Sequence, residues 1–299
     1  MSEATRTRTA PPVPEDVDKL EKRVRELVKL PTLPSVMQRV SMLTENVESS
    51  ATEVADVIAA DQVLSAKILR FVNSPVYGFP GRISSIKHAV VLLGFNVVKG
   101  LVLGTTIFET LGHRGRELWN HSLGCAILSR HIGRATGLPD VEEVMTAGLL
   151  HDIGKVILIY MAEAEWEEAA AKAERESLHI ATAERAVFGA DHARVANWIA
   201  TKWRFPNRLI EPLTYHHQPR LAKEFPSVTG AVHVADILAR GMGYGYTGDN
   251  VMPQLHHESF DALGVSFEQI ETLLAEAEGE YEAGADMFSM ESAGDQPMA

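Results

Sequence analysis

The chain has 299 residues, 45% of them hydrophobic, enough for roughly two domains with sizeable cores. Its formal charge of −12 provides no basic face, which argues against general nucleic-acid binding and against an anionic membrane surface. A nucleotide pocket stays compatible, because a bound metal supplies positive charge locally.

One cysteine, Cys125, excludes an internal disulfide and fits a reducing, cytoplasmic setting. It lies in an apolar helical stretch and reads as a buried structural thiol. The opening MSEATRTRTAPPVPE lacks the apolar core of a signal peptide, and charges interrupt every stretch of membrane-spanning length. Residues 1–16 and 286–299 are polar or rich in small residues and are expected to be disordered tails.

Helical periodicity dominates and no segment alternates as a strand does, so the expected fold class is all-α. Asp16 caps a helix that carries Val17, Leu20, Val24 and Leu27 on one face and ends near Pro31. Ser35 caps Val36 to Leu43. Ser50 and Glu53 have capping-box spacing and open Val54 to Ala60. Asp61 starts the helix Leu64 to Val72, which Asn73-Ser74-Pro75 breaks. Helices at Ser85 to Leu93 and Asn96 to Leu111 follow, separated by Gly94. These make a first block, residues 17–112.

A second block, 113–285, holds helices at Glu117 to Ala135, Val141 to Ala162, Ala181 to Phe188 and Asp191 to Trp203. Asn207 to Tyr215, Ser227 to Arg240 and Phe267 to Glu282 complete it. The join near Gly112 to Gly115 is weakly marked, so the blocks are compatible with a shared core.

Chemistry enters with His151-Asp152, inside the apolar helical run Val144 to Tyr160. A helix hydrophobic nearly all round is buried, and burying an ionised Asp beside a His is costly without compensation. A cation compensates by binding both groups. A hydrogen-bonded His–Asp pair supporting the core is the competing reading, and the dipeptide alone leaves both open. His121, His192, His216-His217 and Asp236 add imidazoles and a carboxylate on successive helices. The ligand set suits Fe, Mn, Zn or similar ions. His88, His113, His131, His179, His233, His256 and His257 have no clear partners and read as surface, cap or core residues.

His121, His151-Asp152 and Asp236 resemble the signature of the HD superfamily of metal-dependent phosphohydrolases. His192, His216 and His217 resemble the extra ligands of its HD-GYP branch, which hydrolyses cyclic di-GMP through two or three metals. That resemblance implies one ion held by His121, His151, Asp152 and Asp236. Asp152 then bridges to a second ion held by His192, His216 and His217. Glu117, four residues before His121, is a candidate ligand for a third ion, or an ordinary exposed acid. Fe or Mn are the first candidates, with Zn or Ni as alternatives.

The stretches LPTLPSVMQRV, EVADVIAADQVLSAKILRFVNSPVYG, ISSIKHAVVLLGFNVVKGLVLG and AVFGADHARVANWIATKWRFPNRLIEPLTYHHQP resemble the HDOD (HD-related output) domain over roughly residues 26 to 240. The resemblance implies an HD-type helical core at 113–285 behind an N-terminal helical HDOD bundle at 17–112. Many HDOD domains lack part of the ligand set; all seven positions are present here. The Gly-Tyr-Pro segment of HD-GYP proteins is absent, since QPRLAKEFP follows His217. Gly243-Tyr244-Gly245-Tyr246 comes too late to replace it and reads as a flexible loop.

Two functions follow as expectations. One is a di-metal phosphohydrolase in a signalling protein, acting on a cyclic dinucleotide or nucleotide. Asp152 then serves catalysis as the bridging ligand, and Lys155, one turn after His151, meets a substrate phosphate or reaches solvent. The other is a non-catalytic regulatory scaffold that binds a signalling partner through its helical surfaces and keeps a structural metal.

Overall fold

The computed structural model describes residues 17–27, 35–46 and 49–289. The expected N-terminal tail, the cap Asp16 and residues 290–299 lie outside them. Local chemistry sets the first helices. Glu53 N–H donates to Ser50 Oγ at 3.2 Å and Ser50 N–H to Glu53 Oε2 at 2.7 Å, the reciprocal cap that the spacing predicts. Asp61 Oδ1 accepts from Leu64 N–H at 2.9 Å and opens the next helix. The N-terminal block is α1 (Val17–Glu26), α2 (Ser35–Glu45), α3 (Ala51–Ala60), α4 (Gln62–Val72), α5 (Ile86–Leu93) and α6 (Phe95–Glu109).

The second block begins with α7 (Gly112–Ala135), five residues earlier than the periodicity predicts. Its first turn therefore covers the expected join at Gly112 to Gly115. One buried apolar cluster runs across it, from Leu101 and Ile107 to Leu123 and Ile127. Then come α8 (Val141–Leu150), α9 (Ile153–Met161), α10 (Glu163–Glu176), α11 (Ile180–Phe188), α12 (His192–Lys202), α13 (Asn207–Tyr215), α14 (Pro226–Gly241), α15 (His257–Leu263) and α16 (Phe267–Ser289). Among the described residues every regular element is helical, as the sequence predicts. α7 is the central rod: α8, α14 and α16 pack around it, and its stretch from Leu118 to Gly133 is buried almost throughout.

Four local expectations are corrected. Val141 to Ala162 is not one helix but two, broken at His151-Asp152. There the His151 imidazole lies 2.7 Å from Gly148 O, and Lys155 N–H closes a tight turn onto Asp152 O at 2.9 Å. A continuous helix would splay neighbouring side chains by about 100°; the break lets both enter one pocket. α10 was unanticipated, although its buried Trp166, Ala169 and Ala173 recur at helical spacing. α15 is a further unanticipated helix. Finally, α16 continues through residues 286–289, which the tail was expected to include.

Lys99 joins the blocks. It is 2% exposed, and its Nζ donates to Trp203 O at 2.9 Å and Arg204 O at 3.2 Å, the carbonyls just past α12. Burial pushes its pKa down from 10.5 to about 8. Between those values the unfolded chain holds the proton more tightly, so stability rises with pH across that window. Below about pH 8 both states are protonated, and the full penalty, about 3 kcal/mol, is present. The difference between wild type and Lys99→Met in urea midpoints from pH 7 to 10.5 is expected to show that slope; parallel curves would refute it.

Candidate metal centre

The seven residues singled out by the sequence meet in one place. His121 comes from the middle of α7, His151 and Asp152 from the α8–α9 break, His192 from the start of α12. His216 and His217 follow the end of α13, and Asp236 comes from α14. Six of them are 0% exposed; His217, with a side chain 16% exposed, is the only one to reach solvent.

Helix starts and ends aim these groups. Asp191 Oδ1 accepts from Arg194 N–H at 3.0 Å and sets His192 as the first residue of α12. α13 stops at Tyr215, so His216 and His217 leave the helix and both turn inward, as Gln218-Pro219 suggests. α9 can approach α12 only because residue 154 is glycine: a Cβ there would lie 1.9 Å from His192 O. Gly245, at φ +65°, lets the loop after α14 lie on α7, where a Cβ would meet Glu117 O at 2.2 Å. That loop is seated rather than free: Asp249 accepts from Ile180 N–H at 2.8 Å and pairs with Arg240 at 3.1 Å.

The two oxygens of Asp152 face two groups. Oδ2 lies 3.4 Å from His151 Nε2 and 3.8 Å from His121 Nε2. Asp236 Oδ1 closes this group at 3.0 Å from His121 and 3.8 Å from His151. Oδ1 of Asp152 lies 3.2 Å from His192 Nε2 and 3.9 Å from His216 Nε2. His217 Nε2 is 2.9 Å from His192 Nε2.

The protonation pattern indicates what this arrangement is for. His151 Nδ1 donates to Gly148 O, His216 Nδ1 to Leu213 O at 3.0 Å, and His192 Nδ1 to Glu184 Oε2 at 2.6 Å. Each ring therefore turns an Nε2 lone pair inward. His192 and His216 Nε2 then face each other at 3.3 Å with no proton between them. Metal–nitrogen bonds of about 2.0–2.1 Å place tetrahedral ligands about 3.3 Å apart. His151 Nε2, Asp152 Oδ1 and Asp236 Oδ2 are buried without a hydrogen-bond partner. Converging lone pairs and orphaned carboxylate oxygens are costly alone and fit divalent cations.

Charge agrees. Burial pushes Asp152 up, but His151 and Lys155 outweigh it and hold the carboxyl well below its usual range. For Asp236 burial is likewise outweighed, by Arg240 and His121. Burial keeps His192 and His217 low, and His216 down to about 3, so these imidazoles are neutral ligands. His151 goes the other way: burial opposes its charge, yet the adjacent Asp152 raises it well above its usual value. The pocket demands positive charge at that point.

Two sequence expectations change here. Lys155 reaches neither solvent nor an open phosphate site: it is fully buried, with Nζ 2.7 Å from Asp152 Oδ2. Glu117 is in neither metal-competent group; it lines a neighbouring cavity with Trp166 and Tyr246.

Other residues now have roles that sequence reasoning missed. Glu184, 0% exposed, accepts both His192 N–H at 2.8 Å and His192 Nδ1–H. Burial pushes its pKa up to about 8. Its place four residues after Ile180 and four before Phe188, both buried, was a legible signal. His233 Nδ1 donates to His216 O at 2.7 Å while its Nε2 accepts from His256 N–H at 3.1 Å. That neutral, fully satisfied ring fixes the turn carrying the paired histidines. His179 caps α11 and stands edge-on to His217 at 4.7 Å; His131 pairs with Glu276 and Glu280 of α16. Glu184→Gln is expected to weaken metal binding at the His192 side by roughly 10–100-fold, read by competition with a chelator. Unchanged affinity would reduce Glu184 to a packing role.

Comparison with known proteins agrees with the fold. The HDOD domain family profile matches residues 30–219. An HDOD domain protein of unknown function from Geobacter sulfurreducens superposes with a TM-score of 0.65 at 26% identity, covering 91% of this chain and 98% of that one. A proposed phosphohydrolase from Shewanella amazonensis shares the fold at TM-score 0.64 and 22% identity, covering 88% and 97%. A second Shewanella amazonensis protein, a proposed metal-dependent phosphohydrolase, matches at 0.55 and 20% identity, covering 90% and 97%. Among curated proteins, an uncharacterised protein of Treponema pallidum (strain Nichols) is 22% identical over 224 residues. That match covers 71% of this chain but only 42% of the relative's length.

Proposed function

Because the chain belongs to the HDOD domain family, we propose that it is a signalling protein with a working binuclear phosphohydrolase centre acting on a phosphoester such as a nucleotide or cyclic dinucleotide. The observation that carries this reading is Asp152, whose two oxygens face two separate ligand groups. His121, His151 and Asp236 would hold one ion with Asp152, and His192, His216 and His217 would hold the other. Fe or Mn suits the mixed imidazole and carboxylate donors, with Zn or Ni as alternatives.

A divalent pair held there would supply Lewis-acid activation of water and neutralise charge developing on phosphorus. The chain's own residues do the rest. Arg240, 3.4 Å from Asp236 Oδ1, keeps that carboxylate ionised and oriented. Lys155 balances Asp152 and fixes its rotamer. The surrounding helices exclude water, which strengthens each charge interaction. Substrate approaches on the His217 side, where a cleft is lined by Arg194, Asn197, Trp198 and Thr214. Arg194, stacked over Trp198 at 5.5 Å, provides a cation for a phosphate there.

The regulatory-scaffold reading keeps one specific support: the near-complete burial of the ligands. Metal analysis of aerobically and anaerobically purified protein, paired with turnover of cyclic dinucleotides and nucleotides, separates the two. The enzyme reading expects bound metal and a turnover lost in His151→Ala. Bound metal without turnover of any phosphoester selects the scaffold, and no metal under either condition refutes both.

A further inference from the structure

A second cavity, of about 300 Å³, lies between α7, α9, α10 and the loop after α14. Glu117, Arg114, Ile159, Trp166, Ala170 and Tyr246 line it, and none of the seven metal-site residues does. Its walls are largely apolar and aromatic, with Trp166 only 5% exposed and Tyr246 47% exposed at the mouth. That is the composition of a small-molecule pocket, and the volume is at the low end for one.

The polar groups are unequally engaged. Arg114 is already held by Glu163 at 3.1 Å and Glu167 at 2.5 Å. Glu117 stands beside it with no ion pair or hydrogen bond among the described residues. Of the cavity's polar groups, His113, Arg114, Glu117 and Glu167, the guanidinium and Glu167 engage each other, which leaves the Glu117 carboxylate unpaired among the described residues and beside Tyr246. A phosphate would meet net negative charge there; a neutral ring with N–H donors would not.

We propose that this cavity binds one planar heteroaromatic molecule bearing the 2-amino-4-oxopyrimidine edge shared by guanine nucleosides and pterins, with Glu117 accepting its adjacent N–H donors. Two carboxylate oxygens accept only, and they match two parallel N–H donors. An adenine edge presents a donor beside an acceptor and mismatches. Tyr246, half exposed at the mouth, supplies a face for a planar ring, and Trp166 contributes an apolar edge to the wall. The volume admits one ring system with a small substituent and excludes a cyclic dinucleotide. The site is independent of the phosphohydrolase reading and stands whether or not the metals turn over substrate. It touches the centre through one element: the loop carrying Tyr246 also lies on the α7 backbone between Glu117 and His121 at Gly245.

The test is calorimetric titration of the full, metal-bearing chain with guanosine and with biopterin, using adenosine and GMP as controls. Guanosine or biopterin is expected to bind one-to-one, adenosine at least roughly tenfold more weakly, and GMP more weakly than guanosine. Binding of guanosine assigns the nucleoside source, binding of biopterin the pterin. Glu117→Gln is expected to lose roughly tenfold or more in affinity while keeping its full metal content. Ala170→Trp fills the cavity and abolishes binding; Tyr246→Ala, at a half-exposed loop position, weakens binding without endangering the fold. The proposal is overturned if neither ligand binds, if adenosine binds equally, or if both Glu117→Gln and Tyr246→Ala bind like wild type. Loss of a metal equivalent in Glu117→Gln overturns it too, since Glu117 would then be a ligand of the metal centre.

Discussion

Asp152→Asn is expected to empty both halves of the metal centre at once, whereas His192→Ala empties only the half to which it belongs. The difference follows from geometry: His121 and His151 face one oxygen of Asp152, and His192 and His216 the other. An amide lacks the charge and presents a donor to one of the two sides. The substitution also strands Lys155, whose buried ammonium rests 2.7 Å from the carboxylate. Breaking a buried ion pair on one side costs about 3–5 kcal/mol. Adding Lys155→Met to Asp152→Asn removes the stranded charge and is expected to recover most of that stability with no recovery of metal. Elemental analysis and urea unfolding of the single and double variants check this. Retention of one full metal equivalent in Asp152→Asn would show that the carboxylate does not bridge.

Gly154→Ala is the second large effect, and it works through backbone alone. The added Cβ would sit 1.9 Å from His192 O and 3.0 Å from Ala196 N, and neither is a side chain that can swing aside. α9 and α12 must separate, at a cost of about 3 kcal/mol or more and a melting drop of roughly 10 °C. Separation draws His192 away from Asp152, so metal at the His192 side is expected to fall while the His121–His151 side keeps its ion. Gly279→Ala is the control. It lies in α16 with nothing within 4 Å of its Cβ, and should be neutral or gain roughly 0.5–1 kcal/mol. Equal melting temperatures for Gly154→Ala and wild type would show that the helices shift apart freely.

Of the seven candidate ligands, His121, His151, Asp152 and Asp236 were legible as polar residues stranded in apolar helical stretches, whereas His192, His216 and His217 stand at helix ends and were picked out by the resemblance to the HD-GYP pattern. The helices were legible where caps and period agreed, as at Ser50, Asp61 and Ser85. What escaped depends on contacts distant in sequence. The break at His151-Asp152 is invisible to periodicity, because both flanking segments are apolar and in helical register. Lys155 could be placed on the right face, but only the fold shows that this face is sealed. His233 acts through a group it merely holds, so nothing in its own neighbourhood advertised the role; Glu184 showed only as an acid at helical spacing between the buried Ile180 and Phe188. Glu117 shares a face with His121, yet the loop lying on α7 between them places it in a different cavity.

One helix carries a further consequence. α12 begins with His192, a member of the second ligand group, and ends where Lys99 grips the carbonyls of Trp203 and Arg204. Its eleven residues make a strut about 16 Å long. One end is a candidate metal donor, and the other is clasped by the N-terminal block. A rigid strut transmits a displacement in either direction, and thermodynamic linkage makes such traffic reciprocal. An ion held by His192 would then be gripped differently whenever the N-terminal helices tilt, and filling that site would stiffen the surface those helices present.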